Sequence, residues 1–206
     1  MLYFCDRGIT VVANGASDWA NEAVTGYAVQ QLTAASRPTI DAGRFGVGVD
    51  GLAADLDDRH MDALSAPQTA EFSLYLLVYR GATNGSHGLV QLGNRDLLLT
   101  DNRYLRFWNG SSAVRLTPNA TFPLDARYLI TVIRYGGNGF RVWKNGVEVT
   151  TGSPNDGAAV TMQRVLGTGA WPYWGSVGFF AFANVAHSDG TRAAIESYVL
   201  GRYTVD

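Results

Sequence analysis

Three stretches of this sequence place aromatic rings beside short polar residues. They are Trp171-Pro172-Tyr173-Trp174, Trp108-Asn109-Gly110-Ser111-Ser112, and the segment holding Asn84 and His87. The face of an aromatic ring is electron-rich, so it stacks on the polarised C–H bonds of a sugar. Nearby amides, hydroxyls and imidazoles can bond the sugar's hydroxyls. The carbohydrate-binding candidates are therefore Trp171, Tyr173, Trp108, Asn109, Asn84 and His87. Aromatic residues are also enriched at subunit contacts. For Trp171 and Tyr173 a sugar platform, a subunit contact and burial in the core all remain open. Pro172 restrains Trp171 to extended backbone and removes a ladder donor, which favours a loop. Trp174 is expected to pack against Trp143 in the core.

Other chemistry is thinly supported. A retaining glycosidase needs two carboxylates about 5 Å apart. The four glutamates, Glu22, Glu71, Glu148 and Glu196, lie far apart in sequence and form no paired motif. The expectation is no enzyme and no catalytic residue. Asp50, Asp55, Asp57, Asp58 and Asp62 make an acidic stretch with hard oxygen ligands of the kind calcium takes. Their spacing fits no EF-hand, and a solvated loop is the favoured reading. His60, His87 and His187 lack metal-ligand spacing, so no metal and no cofactor are expected. The Asn-X-Ser/Thr sites at Asn84, Asn109 and Asn119 read as polar turns.

These residues need strands to hold them. Phe72, Leu74, Leu76 and Val78 alternate with Tyr75, Leu77 and Tyr79, so both faces of that strand are apolar and it should lie inside a layered structure. Short strands are expected at 88–92, 97–100 and 104–108, and longer ones at 127–135 and 175–184. In the last, Val177, Phe179 and Ala181 should oppose Phe180 and Phe182. Asn145-Gly146 between β-forming runs is a hairpin signal, because both turn positions need positive φ. One helix is expected near 189–200, capped by Ser188, with Ile195, Tyr198, Val199 and Tyr203 as its apolar stripe.

Composition narrows the class. Of 206 residues 47% are apolar and 17% charged, which excludes a disordered chain. A net charge of −2 speaks against a nucleic-acid partner. No apolar run is long enough for membrane insertion as a helix. Cys5 is the single cysteine, so no disulfide forms within the chain. The first residues lack a signal-peptide pattern, so the protein is expected either to stay in the cell that makes it or to leave by another route, such as inside an assembled particle.

The order of motifs resembles the concanavalin A-like, laminin-G-like jelly-roll domains of phage and bacterial proteins. The residues that carry the likeness begin with Trp19-Ala20-Asn21, Gly26-Tyr27 and the run from Gln30 to Thr39 that contains Arg37-Pro38. Asp50-Gly51, Val142-Trp143-Lys144-Asn145-Gly146-Val147, Trp174–Gly178, Ser188-Asp189 and Ile195–Tyr198 follow in the expected order. Val49 departs from the usual aromatic before Asp-Gly. Phe180 or Phe182 stands near where the last strand often carries a Glu, which weakens an enzyme reading.

The resemblance implies an all-β fold: a two-sheet antiparallel jelly-roll sandwich with one short C-terminal helix. It would be a single domain over residues 1–206, with residues 1–18 as an arm or first strand. The implied function is a non-enzymatic, lectin-like virion component: a fibre, spike or decoration protein binding host-surface polysaccharide. The implied partners are that polysaccharide and other virion structural proteins, with the chain a homo-oligomer or part of a larger assembly. The alternatives are a purely structural cementing or capping module and a glycan-processing enzyme.

Overall fold

A computed structural model describes residues 2–4, 9–12, 15–20, 28–30, 38–41, 44, 51–53, 60–63, 68–83, 85–136, 139–154, 156–168 and 171–206. The first strands are β1 (Leu2–Phe4), β2 (Ile9–Val12), β3 (Gly15–Ala20), β4 (Ala28–Gln30), β5 (Thr39–Asp41), β6 (Gly51–Ala53) and β7 (Met61–Ala63). There follow β8 (Phe72–Arg80), β9 (His87–Leu92), β10 (Arg95–Leu99), β11 (Leu105–Trp108), β12 (Ala113–Arg115) and β13 (Ala126–Tyr135). The chain closes with β14 (Gly139–Lys144), β15 (Val147–Glu148), β16 (Met162–Val165), β17 (Gly175–Ala183) and the helix α1 (Asp189–Arg202).

These strands form two antiparallel sheets. The back sheet runs β15-β14-β13-β8-β17-β6-β5, with β1 also paired to β17. The front sheet runs β12-β11-β10-β9-β16-β7-β4-β3-β2. The expected antiparallel sandwich with one C-terminal helix is what the chain forms.

Alternation along each strand explains the packing. Phe72, Leu74, Leu76 and Val78 of β8 and Tyr128, Ile130 and Val132 of β13 point between the sheets. There they meet Leu89, Val90, Leu97, Leu99, Leu105, Phe107 and Val165 of the front sheet. The opposite faces of the same strands supply Tyr75, Leu77 and Leu129. These join Phe179, Ala181, Val199 and Tyr203 in a second cluster, beneath α1. The doubly apolar strand thus lies between a sheet and a helix.

Two patterning expectations change. A register shift between Val177 and Phe179 lets Val177 join Phe180 and Phe182 in the inter-sheet core. An extra residue in one strand reverses the alternation beyond it. Tyr198 lies outside the helix stripe and is 53% exposed, whereas Val199 and Tyr203 are buried. The helix start follows its sequence signal: Ser188 Oγ accepts the Thr191 N–H. The hairpin turn does too, with φ of 49° at Asn145 and 81° at Gly146. Asn145 also accepts the Leu129 N–H through Oδ1 and donates to the Asp206 carbonyl.

Trp143 is buried, but on the helix side. Its ring lies 4.5 Å from the Arg192 guanidinium and 4.7 Å from that of Arg141. Trp174 is half-buried in the loop before β17, and its backbone bonds Gly81 and His87. The expected Trp143–Trp174 core pair is replaced by cation–π contacts on the back of the molecule.

Candidate functional site

The outward face of the front sheet collects the polar and aromatic chemistry. Directly paired residues of neighbouring strands share a face and stand about 5 Å apart at Cβ. The pairings Asp62↔Arg164, Arg164↔Gln91, Gln91↔Asp96 and Asp96↔Trp108 draw one row across five strands. The pairings Gly88↔Leu98, Leu98↔Arg106 and Arg106↔Arg115 draw a second. Leu97, Leu99, Leu105 and Phe107, which alternate with these residues, are in the core. Arg106 and Trp108 therefore point outward from β11. Tyr104, two residues earlier, meets the Arg115 guanidinium 5.8 Å from its ring centroid.

Trp171 reaches this face from the loop before β17. Gly167 bridges Pro172, the Thr168 N–H donates to the Trp171 carbonyl, and the Trp171 N–H donates to Thr168 Oγ1. The loop rests on Gly88. A Cβ at that position would come 2.4 Å from the Trp171 carbonyl and 2.8 Å from Thr168, so only glycine allows this approach. The Arg106 guanidinium lies 5.6 Å from the Trp171 ring centroid.

Asp96 stands between Gln91 and Trp108 and is only 8% exposed. Its Oδ1 has no hydrogen-bond partner among the described residues. Burial pushes its pKa up to about 6, with Arg106 opposing the shift. A buried acceptor left unpaired costs free energy, and a ligand hydroxyl would relieve that cost. Asp62, at the far end of the row, is ion-paired with Arg164 at 3.0 Å and lies 3.4 Å from His60.

Beside Arg115 the face continues into an open depression of about 480 Å³ lined by Asp101, Asn102, Arg103, Asn119, Ala120 and Leu124. The link is a 3.1 Å hydrogen bond from Arg115 to Asn119 Oδ1. Arg103, Ala120 and the nearby Asp125 hold φ of 60°, 60° and 54°. L-residues in this left-handed region carry strain, which concentrates at functional surfaces.

The sequence candidates divide. Trp108 and Trp171 come to one face from positions far apart in the chain. Tyr173 is a correction: it is fully buried in the inter-sheet core and donates to the Tyr79 carbonyl. His87 is another, at 1% exposure. Its Nδ1 accepts the Trp174 N–H and its Nε2–H donates to the Thr83 carbonyl. Burial and the charge of Arg80 pull its pKa down to about 4, so it is neutral. The Asn109 Oδ1 is consumed by its own turn, accepting from the backbone and hydroxyls of Ser111 and Ser112. Asn84 lies outside the described residues, as do Asp50, Asp55, Asp57 and Asp58. Sequence reading missed Asp96, Arg106, Arg115, Gln91 and Tyr104. Their signal was the alternation of polar residues with Leu97, Leu99, Leu105 and Phe107.

The described glutamates serve structure. Glu71 accepts the Gly136 N–H, Glu148 pairs with Arg141, and Glu196 pairs with Arg192. Among the described residues no three His, Cys, Asp or Glu side chains gather as a metal site would require.

No family model and no curated protein matches the chain in sequence. Solved structures match it in fold. The CBM40 of the Ruminococcus gnavus IT-sialidase, bound to α2,3-sialyllactose, is 14% identical with a TM-score of 0.50, covering 61% of this chain and 82% of that one. Trypanosoma rangeli sialidase in complex with 2,3-difluorosialic acid is 13% identical with a TM-score of 0.65, covering 98% of this chain and 33% of that one. The binding domain of botulinum neurotoxin DC in complex with SialylT is 12% identical with a TM-score of 0.59, covering 97% and 51%. The chain thus spans about a third of the sialidase and half of the toxin binding domain. At these identities the likeness is one of fold: a two-sheet antiparallel β-sandwich, to which the concanavalin A-like label applies coarsely.

Proposed function

We propose that this chain is a non-catalytic glycan-binding module whose site is the outward face of the front sheet. The observation that carries the reading is the Asp96–Trp108 pair. It sets an unpartnered carboxylate oxygen beside a half-exposed indole in one cross-strand row. The ring stacks on a pyranose while Asp96 and Gln91 take its hydroxyls. Trp171 borders the same face, and its backbone exchanges hydrogen bonds with Thr168. Three similar folds are named with sialic acid derivatives or sialylated ligands, which agrees with a sugar ligand.

The setting we propose is the surface of a phage or phage-like particle, where the chain would contact host polysaccharide. The support is the motif resemblance alone. Detection of the protein on purified particles by a specific antibody tests that part.

The binding test is a glycan array followed by calorimetry on the wild type and Trp108→Ala. Stacking on an aromatic platform is worth about 1–3 kcal/mol per ring, so the variant should bind about tenfold or more weakly, with its melting temperature nearly kept. A wild type that binds no arrayed glycan sinks the reading and favours a purely structural module. Release of reducing sugar from a bound glycan would instead establish an enzyme.

A further inference from the structure

Arg106 and Arg115 stand directly opposite each other on β11 and β12. Like charges in that position repel, and five other arginines are each answered by an acid. Arg95, Arg127, Arg141, Arg164 and Arg192 each have a carboxylate within 4.0 Å. Among the described residues no ion pair joins Arg106 or Arg115 to a carboxylate. Among the same residues Arg115 bonds the neutral Asn119 side chain alone, and the buried Nε of Arg106 has no acceptor. Two cross-strand arginines thus stand together, Arg106 near the Trp171 ring and Arg115 near that of Tyr104, with no counter-charge among the described residues.

We propose that the ligand of this face is an anionic glycan, whose carboxylate or sulfate oxygens are held by Arg106 and Arg115. This rests on the front face being a glycan site. Guanidinium forks match planar and tetrahedral oxyanions and bind them with charge-assisted hydrogen bonds. The geometry assigns the parts of the sugar. Residues two apart on a strand lie about 7 Å apart, roughly the span of a pyranose with an exocyclic acid group. A ring stacked on Trp108 meets Asp96 with its hydroxyls and extends its acid group toward Arg106. Asp96 and the arginine pair occupy adjacent rows, so the carboxylate of the protein and that of the ligand need not share a position. The sialylated ligands named for two of the similar folds are of this chemical class.

The experiment compares matched probes by array and calorimetry: α2,3-sialyllactose against lactose, trigalacturonate against its methyl ester, and sulfated against desulfated glycosaminoglycan fragments. At least one acidic member should bind about tenfold or more tightly than its neutral partner, and the margin should shrink at high salt. The acidic arm that wins identifies the anion. Arg115→Gln, at an exposed position, should lose most of the margin while keeping the melting temperature. Arg106→Gln should do the same. Equal binding of acidic and neutral partners overturns the inference and leaves the glycan site standing. Binding of neutral glycans alone does likewise. An acid preference undiminished in both variants also overturns it. No binding to any arrayed glycan overturns the inference together with the site on which it rests.

Discussion

The molecule sets arginine against tryptophan on both outer faces, with opposite outcomes. On the back, Arg141 and Arg192 flank Trp143, and each is answered by acids. Arg141 pairs with Glu148 at 2.7 Å and Asp189 at 3.2 Å, and Arg192 pairs with the buried Glu196. On the front, Arg106 lies by Trp171 and Arg115 by Tyr104, with no carboxylate in reach of an ion pair among the described residues. The same side chains thus make a lock in one place and an open set of donors in the other. What differs is the neighbouring element. The back carries α1, whose Asp189 and Glu196 complete the network. The front has no helix among the described residues, and its charges face outward.

The contrast can be broken most directly on the back. Glu196 is 3% exposed and burial raises its pKa, with Arg192 lowering it. Replacing Arg192 by Met should cost about 3 kcal/mol or more in urea unfolding, because a buried carboxylate loses its counter-charge. Arg115→Gln on the front should change stability by about 0.5 kcal/mol or less. Equal costs for the two would show that both arginines are structural.

Asp96 sharpens the comparison through pH. Its pKa is raised by burial, so the fold favours the protonated acid. The stability it contributes is full below the unfolded value near 4 and declines as pH rises through about 6. Two pK units correspond to about 2–3 kcal/mol. Asp96→Asn should therefore be more stable than wild type at pH 8 by about 2 kcal/mol and indistinguishable from it near pH 3.5. It should also bind glycan more weakly. A stability difference independent of pH would show that the carboxylate carries no burial penalty, and the case for a poised acceptor would fail.

A smaller effect than those at Arg192 and Asp96 concerns how the front face is held. Gly88→Ala forces a methyl group against the Trp171 carbonyl and Thr168. Overpacking should cost about 1–2 kcal/mol and shift the loop, so glycan affinity should fall although no proposed contact residue has changed. Unchanged affinity in a clearly destabilised variant would remove Trp171 from the site and leave Trp108 as its platform.

Much of the fold was legible because it depends on neighbours in sequence. The Asn145-Gly146 turn needs two positive φ angles, and the Ser188 cap needs one hydroxyl beside one free N–H. Most strands from β8 onward show in their alternation, whereas the short β12 and β16 do not. Where a long-range event intervened, local reading failed. The register shift after Val177 moved that residue to the face of Phe180 and Phe182, and Tyr198 lies exposed outside the buried stripe of the helix.

The candidate site was legible only in its aromatics, and of these Trp108 and Trp171 lie at the front face while Tyr173 is buried. By its residues alone the chain determined an antiparallel sandwich with a terminal helix and several aromatic–polar loops. Tertiary structure alone decided which of those loops could meet a ligand. Trp171 and Tyr173 are two residues apart, yet one borders the front face and the other lies in the core. Asp96 and Arg115 acquire their meaning from cross-strand neighbours. Burial and ion pairing depend on what the rest of the chain brings within a few ångströms, and local sequence does not encode that distance.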